Sequence, residues 1–194
     1  MPETAIGFFP DVGGTYFLNQ LSYDAGKWLG ICGEPVTGFE AVTVGLATHC
    51  VPSLQWSTLT DAIEQQGRTA LNSVLPTITR SADDTEFKKL LEKRCDWFSV
   101  ATHEELVATL KSSAESRADT PSGTDASKLL GRVSVMSPHA MNLTRQLLKE
   151  AQNLDLAACL QLELKAGEQA VRHPDFVEGI RAVLVDKEPA QWTS

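Results

Sequence analysis

Pro2, Gly7, Pro10, Gly13 and Gly14 all fall within the first fourteen residues, MPETAIGFFPDVGG, and this punctuation constrains the fold more than any other feature of the chain. Proline removes a backbone donor and fixes φ, while glycine is costly inside a helix, so the segment cannot be one continuous helix. The chain must turn between Glu3 and Asp11, two acids that each follow a proline. Two readings of these acids are open. In one, Pro2 opens a helical turn with Glu3 in it, where the helix dipole favours negative charge, and Asp11 caps a helix beginning around Val12 to Thr15. In the other, the turn brings both carboxylates to one pocket that Phe8, Phe9 and Val12 make apolar. Apolar surroundings raise a carboxyl pKa, and two carboxyls sharing a site are pushed to different values. Such a pair can divide the roles of nucleophile or base and proton donor.

Beyond the glycine pair, TYFLNQLSYDAGKWLGIC spaces its apolar residues three and four apart, which predicts an amphipathic helix stopped by Gly30 and Gly33. GFEAVTVGL repeats the pattern, and ATHCVP reads as a brief strand closed by Pro52. Residues 1–53 are therefore expected to form compact α/β core, and residues 54–194 a mostly helical region. Within the latter, a helix from Leu54 is expected to end at Pro76, and EFKKLLEKRCDWF and HEELVATLKSSAES to follow as helices. RADTPSGTDAS has loop composition, which places a loop at 117–127. Ser137-Pro138 is a helix start, Asn153 or Asp155 a re-start, and Asp175 with Glu178 a capping box. Nothing in this half clusters polar groups as a catalytic site would, so its leucine stripes read as packing surface.

The 194 residues carry a formal charge of −8, with basic residues scattered singly or in pairs, and this argues against a nucleic-acid-binding face. No apolar run approaches the length that crosses a bilayer. Cys32, Cys50, Cys95 and Cys159 are widely spaced and are expected as free thiols; the four histidines lack metal-site spacing, and no metal is expected. Met1-Pro2-Glu3 fits neither a secretory signal nor a transit peptide. His49 beside Cys50 reads as structural, because adjacent strand residues point to opposite faces. Trp28, Trp56 and Trp97 read as core, and Arg181 as one member of a surface ion pair.

PETAIGFFPDVGGTYFL resembles, almost residue for residue, a segment of the 3-hydroxyisobutyryl-CoA hydrolases of the crotonase (enoyl-CoA hydratase) superfamily. The resemblance continues at GLATHCV, at Ser137-Pro138 and at HPDFVEGIRAVLVDKEPAQW, and is weakest between residues 55 and 135. The pattern P-E-x-x-x-G-x-x-P-x-x-G-G indicates the superfamily; the acid after the second proline and the C-terminal motif indicate the hydrolase branch. The resemblance implies the end of a crotonase β-β-α spiral followed by a C-terminal helical region. It places the catalytic glutamate at Glu3 and, at Asp11, the aspartate that distinguishes the hydrolases, with both acids contacting substrate.

The implied activity is hydrolysis of a short branched β-hydroxyacyl-CoA thioester in valine breakdown, with coenzyme A as part of the substrate and no further cofactor. Glu3 would attack the thioester carbonyl or activate water, and Asp11 would bind the substrate hydroxyl or assist proton transfer. In the superfamily two backbone N–H groups upstream of the P-E motif stabilise the oxyanion, each donor being worth on the order of 3 kcal/mol. Neither segment lies in these residues, so the chain is expected to be an incomplete fragment, or to have its open face covered by an oligomeric or other partner chain. A mitochondrial location follows from the resemblance alone. Two alternatives accompany it: a non-catalytic crotonase-like scaffold, for example a mitoribosomal component, and a hydratase or isomerase using the same glutamate.

Overall fold

A computed structural model describes residues 1–78 and 85–193. The chain separates into two compact units, Met1–Pro35 with Lys89–Ser194, and Val36–Lys88. The division does not fall at residue 53, because the C-terminal helices pack back on the first 35 residues. Among the described residues no strand forms, so the mostly helical part of the α/β expectation is what this chain displays. ATHCVP is irregular rather than a strand, having no neighbouring strand to complete a ladder.

The larger unit begins with a 3₁₀ turn, Glu3–Ile6, and a short helix α1, Gly14–Leu18. The single long helix expected over residues 15–31 is broken. Tyr23 (φ 57°) and Asp24 (φ 48°) are left-handed, which no α-helix propagates, and α2 starts afresh at Ala25–Cys32. Gly30 lies inside α2; the stop is Gly33, left-handed at φ 59°, whose N–H donates to the Leu29 carbonyl at 3.1 Å.

The smaller unit holds α3, Gly38–Thr43, α4, Trp56–Gln66, α5, Ala70–Ser73, and α6, Leu75–Ile78. A capping box formed by Thr37 and Glu40 starts α3. Pro76 does not end a helix but sits in the first turn of α6, where a missing N–H costs nothing. Trp56, expected in the core, is exposed, whereas Trp28 and Trp97 of the larger unit are buried.

The helix α7 spans Thr85–Phe98, and α8, His103–Ser116, starts at a capping box of Thr102 and Glu105. The loop expected at 117–127 is shorter. Thr120 accepts from the Gly123 N–H and Pro121 occupies the first position of α9, Pro121–Val133, so the Ser/Thr/Pro-rich stretch is largely a helix start. The core of this part includes a buried ion pair. Arg94 on α7 donates from Nε and Nη2 to Asp125 on α9, at 2.8 and 2.6 Å, and its guanidinium lies 4.5 Å from the centre of the Trp28 ring on α2.

Ser137 caps α10, Pro138–Glu150, accepting from the Ala140 N–H at 3.0 Å. Its buried residues Ala140, Met141, Thr144, Leu147 and Leu148 form one face, which packs on α2. Asp155 caps α11, Leu156–Ala170, at the expected re-start. The expected capping box of Asp175 and Glu178 is absent. His173 is the cap residue, Pro174 opens α12, Pro174–Gly179, and the two acids are used elsewhere. A π-helical turn, Ile180–Asp186, follows. Arg181 pairs there with Glu178 and Asp186, as a surface cluster.

Candidate active site

Glu3 sits at the head of the first 3₁₀ turn. That turn is fixed from three sides. The Thr4 hydroxyl donates to the Ile31 carbonyl of α2 at 2.9 Å, and the Thr4 carbonyl accepts from the Ser137 N–H at the head of α10 at 3.1 Å. The third side is α12: a Cβ on Gly7 would lie 2.4 Å from the Asp175 carbonyl oxygen, and one on Gly179 2.4 Å from the Ile6 backbone. Only glycine permits this approach, which gives the glycine of D-F-x-E-G a physical meaning.

Asp175 closes the arrangement. Its buried carboxylate accepts from the Ser137 hydroxyl at 2.6 Å and from the Thr193 N–H and hydroxyl at 3.0 and 2.7 Å. Burial pushes this carboxyl up, but donation from Ser137 and Thr193 together with nearby His173 outweighs it and holds the group below its ordinary value. The ring of His173 stacks on His139 at 3.5 Å, and burial followed by the His173 neighbour holds His139 below its usual value. Glu178 accepts from Arg181 and from the Gln191 N–H and is lowered to about 2.

On this rigid base Glu3 is half-buried, and its Oε2 is fully buried with no hydrogen-bond partner among the described residues. A buried carboxylate oxygen without a donor is costly and is poised to accept from a substrate or a water.

Asp11 lies beyond Phe9 and Pro10, both buried, and is itself exposed. It does not cap α1 with its side chain: its carbonyl accepts from the Gly14 N–H at 2.9 Å, and the cap residue is Gly13. The cap is supplied from 150 residues away. Glu163 of α11, 4% exposed, accepts from the Gly13 N–H at 2.7 Å, the Thr15 N–H at 2.8 Å and the Thr15 hydroxyl at 2.6 Å. It thereby satisfies donors at the start of α1. Asp11 is left with no side-chain hydrogen bond among the described residues. Its neighbour Val12 is 85% exposed and held at φ 57°. A β-branched residue there stores about 1–3 kcal/mol of strain, and such strain concentrates at functional loops.

Glu3 and Asp11 thus stand at the two ends of one short connection whose middle, Phe9, is anchored in a core cluster with Leu147 and Ala170. Both ends are held by carboxylates of the C-terminal half, Asp175 behind Glu3 and Glu163 behind Asp11. Glu163 and Asp175 were invisible to sequence reasoning as site residues. Glu163 stands among leucines, and the signal that could have found it is a charge on the otherwise apolar face of a predicted helix.

A family model described as enoyl-CoA hydratase/isomerase matches residues 1–194. The mitochondrial 3-hydroxyisobutyryl-CoA hydrolase of Xenopus laevis is 35% identical over 201 residues, covering 99% of this chain and 50% of that protein. Its Homo sapiens counterpart is 34% identical, with the same coverage. The 3-hydroxyisobutyryl-CoA hydrolase 1 of Arabidopsis thaliana is 32% identical over 198 residues, 97% of this chain and 51% of that one. A crystal structure of a carnitinyl-CoA dehydratase from Mycobacterium thermoresistibile superposes with a TM-score of 0.78 at 28% identity, over 99% of this chain and 53% of that one. The chain therefore spans about half the length of the curated relatives it matches.

Proposed function

Because the chain belongs to the enoyl-CoA hydratase/isomerase family, we propose that it is the acid-bearing half of a CoA-thioester hydrolase acting on 3-hydroxyisobutyryl-CoA or a similar short β-hydroxyacyl-CoA. The observation that carries this reading is the buried, unpartnered Oε2 of Glu3 on an immobilised turn, in a chain about a third identical to 3-hydroxyisobutyryl-CoA hydrolases. Glu3 attacks the thioester carbonyl or activates the water that does so. Asp11, exposed and with no side-chain hydrogen bond among the described residues, binds the substrate hydroxyl or passes a proton. Coenzyme A leaves as the thiol, and no further cofactor enters.

The oxyanion donors belong to the half of the relatives' length that this chain does not span. An oligomeric or other partner chain, or a continuation of the same chain, supplies that half. The exposed row Leu156, Leu160 and Leu164 on α11 supports a covered face of this kind. The mitochondrial names of the relatives support that location. No helix among the described residues is long and apolar enough to cross a membrane.

The chain is assayed with 3-hydroxyisobutyryl-CoA, alone and joined to the amino-terminal half of the Xenopus laevis relative. We expect little or no thiol release from the chain alone and steady release from the joined protein. Hydration of an unsaturated acyl-CoA without thiol release would instead assign the hydratase alternative, and an inert joined protein that co-purifies with ribosomal particles the scaffold.

A further inference from the structure

We infer that the larger unit carries a cationic pocket around Arg145, lined by neither Glu3 nor Asp11, that takes a small organic phosphate. The pocket has a cavity volume of about 530 Å³ and opens between the C-terminal end of α7, the start of α8 and the side of α10. This size suits a ligand of nucleotide dimensions. Three cations line it, Lys27, Arg145 and Lys149, and among the described residues no carboxylate does. On a chain of net charge −8, a concave surface lined by three positive groups favours an anion.

The guanidinium of Arg145 is the anchor. Its Nη1 donates to Asn142 Oδ1 at 3.2 Å, while Nε and Nη2 are buried with no acceptor among the described residues. The carboxylates that act on it electrostatically, Glu105 and Glu104, form no ion pair with it, and Glu105 is committed to the Ala101 and Thr102 N–H groups. Burial accordingly lowers the Arg145 pKa. A cation with two idle, solvent-closed donors is costly, and an anion that draws the Arg145 guanidinium toward the cavity it lines removes that cost.

The rest of the pocket sets the ligand class. Lys27 reaches in from α2 while pairing at 2.7 Å with Asp24, and Lys149 is exposed on α10. Lysines so placed act as point charges around a phosphate held by the Arg145 guanidinium. Phe98, Val100 and Leu148 give an apolar wall for an organic moiety, and Gln146 and Gln152 offer amides at its edge. This combination fits a phosphate ester better than a bare inorganic ion.

The test is calorimetric titration of the full chain with ADP, inorganic phosphate and coenzyme A, on wild type, Arg145→Gln, Lys149→Gln and the distant control Lys165→Gln. We expect ADP to bind and phosphate to compete with it. Arg145→Gln should weaken ADP about tenfold or more, Lys149→Gln by a smaller factor, and Lys165→Gln not at all. Coenzyme A that competes with ADP identifies the phosphate end of an acyl-CoA as the source; coenzyme A that does not compete identifies a free organic phosphate. Absence of ADP and phosphate binding at millimolar concentration overturns the proposal. Unchanged ADP affinity in both Lys149→Gln and a folded Arg145→Gln does the same. Should Arg145→Gln lose its helical circular dichroism, Arg145→Lys and Lys149→Gln decide the matter.

Discussion

A single carboxylate on α11 decides where Asp11 stands. Proline and glycine at residues 2, 7, 10, 13 and 14 announced a turn and two candidate acids, and the helical turn read around Glu3 is present. The cap read for Asp11 is not, because Glu163 takes the donors of Gly13 and Thr15 across 148–150 residues of chain. No local spacing rule reaches that distance. The displaced aspartate is therefore the informative residue: relieved of capping, it remains exposed beside a strained Val12. Glu163→Ala leaves three buried donors without an acceptor, and we expect it to lower unfolding free energy by about 3 kcal/mol or more. Urea denaturation monitored by circular dichroism measures this, and a loss under about 1 kcal/mol would count against the bonding described here. Glu163→Gln retains one acceptor oxygen and should recover part of the loss.

Helix boundaries were legible where the capping signal is local. Ser137-Pro138 and Asp155 start helices as their residues dictate, because a hydroxyl or carboxylate and the N–H it accepts from lie three residues apart. The HEELVATLKSSAES helix likewise has the bounds read for it. Boundaries failed where tertiary contact overrides composition. Thr120 and Pro121 read as loop yet open α9, because Asp125 and Ala126 on its buried face are drawn into the core. Asp175 read as a cap but is spent on Ser137 and Thr193. The Arg94–Asp125 pair shows what holds α9 to α7. Removing Asp125 takes both of the pair's hydrogen bonds from the buried Arg94 guanidinium beside Trp28. Losing two charge-assisted hydrogen bonds, Asp125→Ala should cost about 3 kcal/mol in a chemical denaturation series, and a cost below about 1 kcal/mol would contradict the role given to the pair.

At the scale of the whole molecule, the family was legible and the architecture only in part. The glycine that follows P-E and the D-F-x-E-G motif have little freedom to vary, because Gly7 lies against Asp175 and Gly179 against Ile6. The brief strand and the boundary at residue 53 were not realised. A strand needs a partner, and the first 35 residues pack with the C-terminal helices. The contact of the two ends of the chain also sets the acid response. Asp175 titrates below its ordinary 3.8 when folded, so its contribution is complete above that value and is lost as pH falls through the folded one. His139, buried and stacked on His173, binds its proton less readily when folded, so stability also declines as pH drops below its ordinary 6.5. Melting temperature against pH should fall in two stages, and Asp175→Asn should lack the lower one; a flat profile between pH 7 and 3 would contradict both assignments.

We propose that Glu3 performs the chemistry. Thiol release from 3-hydroxyisobutyryl-CoA by the protein completed with the amino-terminal half of the Xenopus laevis relative, compared with its Glu3→Gln form, tests it most directly. We predict a fall in kcat of about 10²–10⁴-fold with folding preserved. Undiminished turnover in the folded Glu3→Gln protein would contradict the account.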